Sequence, residues 1–204
     1  MISKSKILQL NFYFLLLFPI SLIFSKFLSE IIMMLTIITL LINFEFLKKN
    51  FQEKWVLFFL LFYTWLCLVT LQQLNLENSL KSLFYIRFLL FALGIALILN
   101  TKKKLYIFLT TVFITITFIE VDVLLQFFFG KDIFGYEPSN EVRFSGPFGE
   151  ELIAGGFLTK FFGISFFLFY LYLRKNKIRY YEIFSSIYLF IFLLFLYLSF
   201  NKYF

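Results

Sequence analysis

Three cations are placed where a phosphate could meet them: Arg143 in a polar stretch, and Arg87 and Lys160 inside apolar runs. A guanidinium suits phosphate because its fork donates two parallel N–H bonds and keeps its charge. The segment RFSGPFGEE, beginning at Arg143, also reads as a helix start. Ser145 or Gly146 is expected to cap that helix, and Pro147 suits its first turn. Glu150 and Glu151 complement the positive end of its dipole, and the free N–H groups there attract anions. Arg143 is therefore a candidate to bind a pyrophosphate and to stabilise charge on it as a leaving group. The competing role is an ion pair with Glu141 or Glu150 that ties the loop together.

The other two cations carry different expectations. Arg87 lies near one end of its apolar run, and Asp122 lies near the same end of the next. An unpaired ion at that depth is costly, so an Arg87–Asp122 ion pair is expected, with Glu120 as the competing partner. Lys160 lies about two helical turns into its run and has no acid three or four residues on, where Gly163 and Ile164 stand. It is expected to line the same cavity and meet lipid phosphate. Glu150 and Glu151 could orient an acceptor hydroxyl, although the helix dipole explains them more simply. Phe134, Tyr136 or Phe148 could stack on a sugar ring. With no histidine, one cysteine (Cys67, in an apolar run) and loop acids that follow no calcium-loop spacing, neither a metal nor another cofactor is expected.

These residues sit in or beside one polar island, 122–160, that holds six of the eight glycines, two of the three prolines and six of the twelve acids. Around it, 61% of the 204 residues are hydrophobic and mean hydropathy is +0.89. A soluble domain of this size cannot hide that much apolar surface. Unbroken apolar runs in lipid select helices, because the backbone must satisfy its own hydrogen bonds. The expected fold is an all-α polytopic transmembrane bundle forming one domain over 1–204. Its spans are placed at about 7–24, 31–47, 55–73, 83–100, 105–127, 153–173 and 183–201. The long loop at 128–152 bears a net charge of −3. Gly130 and Gly135 bracket a turn whose aromatic dips back toward the membrane. Gly155 and Gly156 are expected to let the sixth span approach a neighbour closely.

The net charge of +7 does not point to nucleic acid, because the basic residues fall in short clusters between apolar runs. An N-terminus placed inside leaves twelve lysines and arginines in cytoplasmic connections and five outside. That is a positive-inside bias, and it puts the polar island on the far side of the membrane. The first run lacks a small-x-small cleavage site after it and is expected to be retained.

The order D-x-x-x-Q-x-x-x-G-x-D-x-x-G, then R-x-S-G-x-F-G-E-E, then a glycine-rich helix start, resembles the O-antigen ligase and O-antigen polymerase family. The matching residues are Asp122, Gln126, Gly130, Asp132 and Gly135, then Arg143, Ser145, Gly146, Phe148, Gly149, Glu150 and Gly156. The resemblance implies a protein of the bacterial inner membrane, acting in lipopolysaccharide or surface polysaccharide biosynthesis. It would transfer glycan from an undecaprenyl-pyrophosphate carrier to a lipid acceptor on the periplasmic face. Arg143, Lys160 and Arg87 are then candidates for the pyrophosphate, with Asp122, Gln126, Gly146, Gly149 and Glu150 in support. Members of that family have roughly a dozen spans and a second periplasmic loop with a required histidine. This chain stops after its seventh span and has no histidine, so the resemblance implies an N-terminal portion, truncated or split, and the departure bears on catalysis itself. Ligase and polymerase both stay open. So do a non-enzymatic transporter or flippase component, with Arg87, Asp122 and Lys160 along its path, and a non-catalytic remnant.

Overall fold

A computed structural model describes residues 4–72, 83–138, 144–149, 154–175 and 178–200. Its regular elements, among those residues, are all helical. They are α1 (Lys4–Phe24), α2 (Lys26–Ile42), α3 (Phe44–Asn50), α4 (Lys54–Gln72) and α5 (Ile86–Ile98), then α6 (Lys102–Phe129), α7 (Ala154–Lys175) and α8 (Tyr181–Phe200). A 3-10 turn at Gly146–Phe148 lies between α6 and α7.

Each expected apolar run falls on a helix, but the helices are not equally able to cross lipid. Among the described residues, α1, α6 and α7 are long and apolar enough, and α2 with α3 adds a fourth if that pair is one span. The run expected at 31–47 is broken, because α2 and α3 meet at an 88° bend around Asn43. The Asn43 side chain donates to the Thr39 carbonyl at 2.8 Å, occupying an acceptor that the helix end leaves free. The run expected at 83–100 contains a helix of only 13 residues. At a rise of ~1.5 Å per residue it is about 20 Å long, short of a bilayer's ~30 Å core.

Residues 1–18 and 26–105 form one compact unit, and residues 19–25 and 106–204 form another. The core of the first is aliphatic, with Leu40, Leu47, Val56, Leu89, Leu93 and Leu97 buried together. Its α2 and α5 approach so closely that a Cβ built on Gly94 would come 2.6 Å from Thr36 Cγ2. Small residues permit that approach and the dispersion contacts it brings. Asn11 of α1 donates to the Leu35 carbonyl at 3.0 Å and to Thr39 Oγ1 at 2.7 Å.

The second unit packs α6, α7 and α8 around Val112, Ile116, Ile119, Val123, Leu158, Phe192 and Phe195. Phe162 of α7 stacks on Phe192 of α8, with ring centroids 3.5 Å apart. The buried residues of α6 recur every three or four positions, from Val112 through Ile116, Ile119 and Val123 to Gln126. That period makes one inward face. Threonines in the same helix turn their hydroxyls back on the preceding turn, as Thr115 does to the Thr111 carbonyl at 2.9 Å, so they need no external partner.

Candidate functional site

The inward face of α6 ends in two polar side chains. Asp122 and Gln126 are four residues apart, hence one above the other on the helix surface, and both are fully buried. Neither meets a cation among the described residues of the second unit. Asp122 Oδ1 accepts the Ile133 backbone N–H at 2.8 Å. Gln126 reaches two separate stretches of chain: its Oε1 accepts the Gly146 N–H at 2.9 Å, and its Nε2 donates to the Tyr136 carbonyl at 3.3 Å. A primary amide does this well because it carries a donor and an acceptor on one planar group.

The stretch from Gly130 to Glu137 is a turn stapled to itself and to α6. The Asp132 N–H donates to the Tyr136 carbonyl at 3.0 Å, and Asp132 Oδ1 accepts the Tyr136 N–H at 2.6 Å. Gly130 and Gly135 both have positive φ, at 73° and 85°, as the expected bracketing requires. Between them Phe134 folds back onto Phe118 and Phe24, with ring centroids 6.4 Å and 5.6 Å away. Lys131 and Glu137 form an exposed pair at 3.2 Å.

The second stretch, residues 144–149, lies against the same patch. Gly146 has φ +54°, and a Cβ there would come within 2.8 Å of Val123 Cγ2. Gly149 has φ +61° and passes 3.7 Å under the Tyr136 ring, measured to the place a Cβ would take. Phe144 packs edge-on against Phe127 at 5.4 Å. Three buried oxygens here have no hydrogen-bond partner among the described residues: Asp122 Oδ2, Asp132 Oδ2 and Ser145 Oγ. Each acid thus spends one oxygen on the loop backbone and keeps the other free.

The structure therefore brings together Asp122, Gln126, Asp132, Ser145, Gly146 and Gly149. Arg143 and Glu150, with Glu141 and Glu151, lie outside the described residues. Ser145 makes no side-chain cap bond, and Gly146–Phe148 is a single 3-10 turn with Pro147 at its start rather than the opening of the sixth span. Lys160 is on an exposed face of α7. The expected close approach at Gly156 is absent, since nothing lies within 4 Å of a Cβ there. Arg87 belongs to the first unit and pairs there with Glu30 at 3.2 Å, whereas its expected partners Asp122 and Glu120 belong to the second. The two partners are 57 residues apart, a separation along the chain that no local spacing rule covers.

Sequence reasoning also missed a polar contact inside the second unit. The hydroxyls of Ser165 on α7 and Tyr188 on α8 are 2.6 Å apart, and the buried Glu120 carboxyl of α6 lies near Tyr188. A tyrosine and a serine in facing apolar helices were the available signal.

Chemically, the patch on α6 positions a loop and leaves free acceptors beneath it. Among the described residues it supplies no nucleophile with an adjacent base, and no three of His, Cys, Asp or Glu gather as ligands. No family model, curated protein or solved structure matches this chain.

Proposed function

We propose that the chain is a seven-span protein of the bacterial inner membrane serving glycan transfer of the O-antigen ligase type. In this reading its N-terminus is cytoplasmic and the 128–152 loop is periplasmic. The loop receives an undecaprenyl-pyrophosphate-linked glycan for transfer to a lipid acceptor. One observation carries the proposal. The residues on which the resemblance rests, Asp122, Gln126, Asp132 and Gly146, converge on one another and fix the loop to the end of α6.

That convergence fits the chemistry. Displacing a glycan from a pyrophosphate builds negative charge on the leaving phosphate, and a cation lowers that barrier only if it is held in place beforehand. Arg143 is two residues before Ser145 and three before Gly146, whose N–H donates to Gln126. Arg143 takes the pyrophosphate in this account, and Lys160 is the second candidate contact. Arg87 recedes, because Glu30 already engages it. Asp122, Gln126, Gly146 and Gly149 are positioning residues. The positive-inside count of twelve against five supports the sidedness. Ligase and polymerase chemistry differ in the acceptor, and ligase is the reading adopted.

The test is polysaccharide attachment in cells whose own copy is replaced by Arg143→Ala, Arg143→Lys or Gln126→Met. Attachment should fall about a hundredfold or more in Arg143→Ala, a loss typical of removing one charge-stabilising donor. It should recover partly with lysine. Attachment unchanged in Arg143→Ala, with the protein present at normal level, would remove Arg143 from the mechanism.

A further inference from the structure

A groove of about 310 Å³ runs between α6 and α7 of the second unit. Phe113 and Phe169 form its floor, their rings parallel within 5° and 6.2 Å apart. Tyr106, Ile114 and Tyr172 stand at its rim, each about half exposed. The walls are almost wholly apolar, and the Thr110 hydroxyl is turned back on the Tyr106 carbonyl at 2.8 Å. At one end the groove meets a cation: Lys175 Nζ lies 5.7 Å from the centre of the Tyr106 ring. Arg174 precedes it in the last turn of α7. Neither pairs with a carboxylate among the described residues.

We infer that this groove binds one anionic glycerophospholipid, with an acyl chain along Phe113 and Phe169 and the phosphate at Lys175. The argument is charge complementarity at the end of an apolar cleft. Neutral lipid could fill the cleft, but it would leave the Lys175 ammonium without a counter-charge among the described residues. A headgroup of net negative charge supplies one, and basic residues between membrane helices at the headgroup level select such lipids. Tyr106 serves both ends of the ligand, because its ring borders the acyl cleft on one side and the ammonium on the other. This site is separate from the loop patch and does not depend on the glycan-transfer reading. It requires only that α6 and α7 lie in a bilayer.

The experiment uses the full chain in nanodiscs with Ile114→Trp as reporter and Trp55→Phe and Trp65→Phe as background. Brominated phosphatidylglycerol and brominated phosphatidylcholine are compared as quenchers. The reporter should be quenched at much lower mole fractions of the anionic lipid. One charge removed is worth about fivefold. Lys175→Gln should therefore cut the preference about fivefold while leaving quenching by phosphatidylcholine unchanged. Lys175→Arg, which keeps the charge, should retain the preference and guards against misfolding as the cause. Equal quenching by the two lipids in the reporter protein would mean ordinary annular lipid and would overturn the inference. So would a preference that survives in Lys175→Gln, or one lost in Lys175→Arg.

Discussion

Replacing Gln126 by methionine keeps the length of the side chain and removes both of its hydrogen bonds. The two released groups are not equivalent. The Gly146 N–H is buried, so it would be left without any partner. The Tyr136 carbonyl belongs to an exposed residue, and water can take the place of the amide there. A buried donor left unsatisfied costs about 1–3 kcal/mol, so ~2 kcal/mol is the expected loss for the 144–149 segment. At about 1.4 kcal/mol per factor of ten, the population in which that segment has left α6 rises about thirtyfold. Amide hydrogen exchange in detergent reads this directly. The backbone amides of 144–149 should exchange about thirtyfold faster in Gln126→Met, while those of 131–137, held also by Asp122 and Asp132, change little. A change below about threefold at 144–149 would refute the reasoning, since the fully buried amide would then not be what holds the segment.

Three further outcomes follow from the packing. Gly146→Ala should destabilise by about 1–3 kcal/mol more than Gly130→Ala in thermal melts. Both positions have positive φ, but only the first has Val123 in the way. Gly94→Ala should lower the melting temperature by separating α2 from α5, at a cost of about 1–3 kcal/mol. Thr36→Ser added to it should recover part of the loss by removing the methyl group that lies 2.6 Å from the new Cβ. The Arg87–Glu30 pair, a third to a half exposed at each side chain, should show a coupling under about 1 kcal/mol in a double-mutant cycle of Arg87→Gln with Glu30→Gln. A coupling above about 3 kcal/mol would mean that the pair is buried and desolvated.

Helix positions were legible in the sequence because an unbroken apolar run leaves the backbone one way to satisfy itself in lipid. Helix lengths were less so. The bend at Asn43 was written in a single polar residue, whose side chain competes for the helix's own carbonyls, and hydropathy averaged over a run does not register one residue. In the loop, glycine and aspartate spacing announced the Gly130–Tyr136 turn correctly, since positive φ and side-chain capping are local. Asp122 was legible as a charge near the end of a span, and Gln126 only through the resemblance. Their role was not, because charge in a membrane helix invites a search for an opposite charge, and the partners that satisfy them here are backbone amides. Glu30 was overlooked for a related reason. Depth in the membrane can be judged from sequence, but which helices become neighbours is a property of tertiary packing.

The glycan-transfer account rests on the loop facing the periplasm, and one cysteine placed in it decides the matter. Glu137 is exposed and, among the described residues, forms a surface pair with Lys131, so Glu137→Cys in a Cys67→Ser background should fold normally. In intact spheroplasts an impermeant maleimide should label that cysteine fully without permeabilisation. Labelling only after the membrane is opened would put the loop in the cytoplasm, away from carrier-linked glycans, and the proposed function would fail.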